Sequence, residues 1–215
     1  MTDLSWADAL GEAWARATTP QPAPDLVVVL GTAAIVVVAL LVPGLWHLAR
    51  HVLTVVPEGA HATVAVLSGR RLAGIRLHSD TSGLTVSVGR PTGPGMVATA
   101  FAGYVGPALL GLGAAWLLGR GYAVGLLWLL LVALVLLLIQ VRNGYGLWVV
   151  LACGVALVVT WRAPADWQVA AAYALCWLLL LGAPRAVLEL QATRRRQRRR
   201  SVRGAVSDAD VLADL

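Results

Sequence analysis

LWHLARHVLTVVPEGAHATVAVLS, residues 45–68, is apolar enough to cross a bilayer, yet it carries His47, Arg50, His51, Thr54, Glu58, His61 and Ser68. At 100° per residue all of these land within an arc of about 100° on one helix. A charge at the bilayer centre costs on the order of 3 kcal/mol on insertion scales, so this seam must face protein or water. Glu58 is the only acidic residue deep inside an apolar run. The stretch therefore predicts one helix of a membrane bundle with a polar interior edge.

The rest of the chain agrees with that reading. Of 215 residues, 59% are hydrophobic and 13% charged, with a mean hydropathy of +0.76, which excludes an ordinary soluble globular domain. Apolar runs fall at 26–42, 45–68, 96–118, 122–141, 146–162 and 166–183. The fold class expected is an all-α polytopic membrane protein with about six transmembrane helices and a small β-hairpin inserted after the second. Its organisation reads as an N-terminal segment and Pro-rich linker at 1–25, a transmembrane domain at 26–183 with the insertion at 69–95, and a basic tail at 184–215. The first 25 residues hold Asp3, Asp8 and Glu12 and no apolar stretch, so no cleavable signal is expected.

All seventeen basic residues are arginine. With the N-terminus inside, fourteen fall on the cytoplasmic side and three, Arg50, Arg120 and Arg162, on the other, as the positive-inside rule requires of an even number of spans. Both termini are thus expected in the cytoplasm, and the location a bacterial inner membrane. The RRRQRRR run at 194–200 follows a span directly. It reads as an anchor for anionic lipid rather than as a nucleic-acid site, so no nucleic-acid partner is expected. Cys153 and Cys176 lie in separate apolar runs without metal-ligand spacing and read as packing residues.

Local patterns place the remaining pieces. Leu4, Trp6, Leu10, Trp14 and Ala17 share a face of an interfacial helix, and TTPQPAP at 18–24 is an extended linker. In the polar insertion, Ile75 and Leu77 alternate with Arg76 and His78, SDTSG at 79–83 supplies a turn, and Leu84, Val86 and Val88 alternate with Thr85 and Ser87. Thr99, Gly103, Pro107, Gly111 and Ala115 form a small-residue stripe, with Gly59, Ala60, Ala62 and Ala65 of the second span as the expected partner. LLWLLLVALVLLLI at 126–139 is apolar all round and is expected to face lipid. Trp148, Trp161 and Trp167 sit near span ends, where indoles favour the headgroup region.

TVVPEGAHATVAVLSGRRLAGIRLHSDTSGLT, residues 54–85, resembles the core of the bacterial B-type branch of the site-2 protease family, membrane-embedded zinc metallopeptidases with HExxH on the active helix. RNGYG at 142–146 matches more loosely. In HExxH two histidines four apart bind zinc from one helix face, and the glutamate serves as general base. The resemblance implies Glu58 as the base, His61 as the second histidine ligand and zinc as the cofactor. It also implies a membrane-protein or peptide substrate, held as an added strand on the hairpin edge.

The sequence departs from the motif at Pro57, which stands where the first histidine belongs. His51 lies about 15 Å along the axis from His61 and cannot replace it. The family's third ligand is an aspartate on a later span, where this chain has Arg142, Asn143 and Gly144. His78, Asp80 and Asn143 are the further candidate ligands or lining groups, with an ordinary hairpin role for the first two and a helix-cap role for Asn143 as the alternatives. His47 and His51 read as seam residues. Three functions remain open: hydrolysis of peptide bonds in or near the membrane, a degenerate relative that binds membrane-protein segments without cutting them, and a small transporter.

Overall fold

Prolines and glycines mark where the apolar runs become helices. The protein is described from a computed structural model covering residues 6–213. Leu4 and the side chains of Trp6, Leu10, Arg194 and the residues from 196 onward, which include most of the arginine run and the acidic end, lie outside the described residues. In chain order the elements are α1 Trp6–Thr18, α2 Leu26–Leu41, α3 Pro43–Leu67, β1 Arg71–Leu77, β2 Gly83–Val88, α4 Pro94–Gly119, α5 Ala123–Gln140, α6 Gly144–Arg162 and α7 Ala165–Ala213. Pro43 and Pro94 sit in the first turns of α3 and α4, where a missing N–H costs nothing. At the end of α3, Gly69 takes a φ of 75°. Arg70 N–H then reaches Ala65 O and Gly69 N–H reaches Val66 O, each at 2.9 Å, closing the last carbonyls in a Schellman motif.

The architecture is helical with one small sheet, as expected, but the count of spans differs from six. Four helices are long and apolar enough to cross a bilayer alone: α4, α5, α6 and the Ala165–Thr193 part of α7. The expected first two spans instead form a pair, α2 and α3, bent by 105° at a short break, and they pass that test only together. Extended Val42 makes this break, and Pro43 after it excludes helical geometry there. The polar seam lowers the hydropathy of α3.

Packing around α3 explains the small residues. The helix packs most extensively against α4, and a Cβ on Gly106 would collide with the Cβ of Ala60. The stripe on α4 divides along its length: Gly103 meets His61 of α3, whereas Gly111 meets Leu179 and Leu180 of α7. Gly59 turns away from α4, towards Leu137 of α5. The greasy run of α5 is likewise not all at the surface. Leu126 and Leu127 are fully buried against α4 and α7, while Val132, Leu136 and Ile139 are exposed. Trp148 and Trp167 are exposed, whereas Trp161 stacks edge-on against Trp128 with ring centroids 5.7 Å apart.

The hairpin rests on the bundle. Ile75 and Leu77 of β1 are buried with Val55 and Ala62 of α3 and with Val149 and Val150 of α6. On β2 the alternation is inverted: Leu84, Val86 and Val88 are exposed, and Thr85 and Ser87 turn inward. The outward valines and leucine are exposed, while the inward hydroxyls meet polar groups of the seam and of Arg70. At the N-terminal end, the linker after α1 is tied to the α4–α5 turn. Gln21 N–H donates to Gly121 O at 2.8 Å, and its side-chain oxygen accepts from Val124 N–H at 3.1 Å.

Replacing Gly106 by alanine should lower stability by about 1–3 kcal/mol, because both colliding atoms are fixed to backbone. Gly113→Ala on the same helix, where the added Cβ meets nothing within 4 Å, should be neutral. Thermal unfolding of the two variants in one detergent separates them.

Candidate functional site

The seam of α3 is covered by the hairpin and by the start of α4. Thr54 Oγ donates to Thr81 O in the hairpin turn at 2.9 Å, and Thr85 Oγ of β2 donates to the Glu58 carboxylate. The backbone of Gly83 comes so close that a Cβ there would overlap the Glu58 side chain. The turn and the first half of β2 are therefore held to α3 through hydroxyls, a carboxylate and a glycine. Glu58 is buried, with 6% of its surface exposed.

His61 stands one turn further along and turns towards α4. Its Nδ1 lies 2.6 Å from Thr99 O, which fixes the proton on that nitrogen and leaves Nε2 as the free lone pair. Nε2 points at Gly103, where only hydrogen fits. Glu58, His61, Thr85 and Thr99 line one pocket of about 240 Å³ between β2 and α4. The sequence expectation that Glu58 and His61 occupy one sheltered place thus corresponds to a pocket with a strand as one wall and a helix as the other.

The other candidates lie elsewhere. His78 and Asp80 are exposed in the hairpin turn. Asp80 Oδ1 accepts from Ser82 N–H at 3.0 Å and from Ser82 Oγ at 2.6 Å. Those bonds hold its carboxyl below the usual carboxylate range and commit it to turn formation, with Thr81 at a φ of 65°. Asn143 precedes α6 without capping it by its side chain. Its amide instead pairs with β1: Oδ1 accepts from Leu77 N–H at 3.1 Å and Nδ2 donates to Leu77 O at 2.6 Å. Beside it, Arg142 N–H donates to Ile75 O at 2.9 Å, and Ile75 and Val141 form a parallel bridge. β1 is thereby paired on both sides, and the outer edge of β2 is the free edge of the sheet.

A zinc ion fits this donor set poorly. Pro57 offers no ligand, Asp80 and Asn143 are spent on the hairpin, and no group of three His, Cys, Asp or Glu that could hold a metal ion occurs among the described residues. A structural zinc takes four protein ligands and a catalytic one three. Thr85, Gly83 and Thr99 are the site residues that sequence reasoning missed. The signal for the first was the inverted polarity of β2, and for the last its place at the head of the small-residue stripe.

The chain is thus a bundle of membrane-type helices whose α3 is roofed by a β-hairpin. The family described as Peptidase M50B-like matches residues 30–215, and the chain belongs to that family, which relates it to the site-2 proteases. No curated protein and no solved structure matches the chain.

Asn143→Ala should leave Leu77 N–H without a partner, at a cost of about 1–3 kcal/mol. Faster hydrogen exchange across residues 71–88 is the expected result, and unchanged exchange would mean that the Asn143 amide does not hold the hairpin.

Proposed function

We propose that this chain is a site-2-protease-type membrane protein that captures an extended segment of a membrane protein along β2 without hydrolysing it. The observation that supports this reading most directly is the free edge of β2 beside the pocket of Glu58 and His61, in a site short of zinc ligands. An unpaired edge offers N–H and C=O groups to an added strand. The exposed Leu84, Val86 and Val88 give that strand an apolar flank, suited to a segment drawn from a transmembrane helix. In this role Glu58 is a positioning residue, which sets β2 over α3 by way of Thr85.

A second reading, peptide hydrolysis, is favoured by one fact: Glu58 and His61 open on the same pocket. In that case Glu58 would take a proton from the attacking water.

Orientation follows from charge. The α2–α3 pair, bent by 105°, is either one broken span or a re-entrant loop; as a re-entrant loop it makes no net crossing, and the remaining four spans return the chain to its starting side. Together with the arginine bias, this supports both termini in the cytoplasm of a bacterial cell, with the arginine-rich tail against anionic lipid.

In proteoliposomes, cysteines at Leu84 or Val86 should cross-link to a single-span peptide of about 20 apolar residues carrying a helix-breaking Gly-Pro pair, and no shorter product should form. Product formation that Glu58→Gln abolishes would establish hydrolysis instead. Pro57→His should add one equivalent of zinc over wild type, and His61→Ala in that background should remove it.

A further inference from the structure

Where the hairpin joins α4, arginines gather without acids to match them. Between Leu67 and Met96 the chain holds Arg70, Arg71, Arg76 and Arg90 against one acid, Asp80, which is spent on Ser82 in the hairpin turn. Arg70 and Arg90 line a cavity of about 340 Å³ at the base of the hairpin, together with Ser68, Gly89, Thr92 and Gly95. Neither arginine has a carboxylate partner among the described residues.

Arg70 is held in place by neutral groups alone. Its Nε donates to Ser87 Oγ at 2.9 Å, its Nη2 to Ser87 O at 3.4 Å and its Nη1 to Arg90 O. A guanidinium carries five N–H groups, so two are left over on a half-buried cation whose orientation is already fixed. Arg90 adds a second, exposed guanidinium. Glycines keep the walls close, since a Cβ on Gly89 would stand 3.3 Å from Arg70 Cγ and one on Gly95 3.2 Å from Ser68 Cβ.

The residues bordering the cavity along the chain are apolar. Leu67 at the end of α3, Val88 at the end of β2 and Val97 in the first turn of α4 are all exposed. α4 is long and apolar enough to span the bilayer and begins at Pro94, which sets the cavity at headgroup depth. Paired guanidiniums favour a phosphate oxygen, and the aliphatic side chains beside them favour acyl chains, so the two together suit an amphiphile.

We infer that this cavity binds the phosphate group of an anionic phospholipid in the cytoplasmic leaflet, at a site separate from the Glu58 pocket and from the arginine-rich tail. Because Arg70 also holds Ser87, the bound phosphate ties β2 to the membrane surface.

In nanodiscs containing the full chain, replacing phosphatidylcholine by phosphatidylglycerol should slow hydrogen exchange across residues 87–97, a readout local to the cavity. Arg90→Gln and Thr92→Glu, both at exposed positions, should each raise the phosphatidylglycerol fraction that gives half of this effect about fivefold. Arg76→Gln removes an exposed arginine outside the cavity and should leave that fraction unchanged. Equal exchange of the wild type in the two lipids would overturn the inference, and so would an equal response of wild type and Thr92→Glu. Full protection by inorganic phosphate alone in phosphatidylcholine nanodiscs would also overturn it, by assigning the cavity to a free anion.

Discussion

An ionisable edge on a helix surrounded by apolar neighbours must be covered, and the protein covers it with a strand. Glu58 has no arginine partner among the described residues; its carboxylate meets the hydroxyl of Thr85 and the bare backbone of Gly83. Burying such a group without hydrogen bonds would cost several kcal/mol. The hairpin offsets that cost, and its position follows from the need to do so. Thr54, bonded to the turn at Thr81, extends the same contact along the seam.

Once β2 is fixed over α3, the remaining contacts of the sheet follow. β1 fills the space between α3 and α6 with Ile75 and Leu77, and its far side is closed by the segment before α6, with the Asn143 amide on Leu77. That leaves a single free edge, and it faces α4. The small residues of α4 allow this geometry. Gly103 admits the His61 ring, Gly106 admits Ala60, and a side chain at either position would force α3 and α4 apart. Pro57, within a helix that stays continuous from Pro43 to Leu67, removes a metal ligand and a backbone donor together. In a chain of the M50B-like family, altering the motif in this way leaves a donor set among the described residues that falls short of zinc, beside the free edge of β2.

Much of this was legible in the amino-acid order. The hairpin could be read from Ile75 and Leu77, SDTSG and the alternation after it, and the contact of α3 with α4 from the spacing of glycine and alanine. Other features were not. Leu126 and Leu127 are chemically the same as Leu136, and only their neighbours on α4 and α7 separate core from surface. Asn143 looked like a helix cap because capping is a local property, while its bonds to β1 join residues 66 positions apart. The outward face of β2 is apolar and its inward face polar, the reverse of a water-soluble strand, since the partner beneath is a polar seam.

Composition and periodicity by themselves establish a helical membrane protein, its apolar runs, the hairpin between two of them and the polar arc of residues 45–68. These are properties of neighbours along the chain, where 3.6-residue and two-residue repeats are visible directly. The tertiary structure adds the bend at Val42, the pairing of β1 on both sides, the roles of Thr85, Gly83 and Thr99, and the commitment of Asp80 and Asn143 to the hairpin. Each of these depends on which distant backbone comes to lie against which side chain, and no repeat within a helix or strand encodes that.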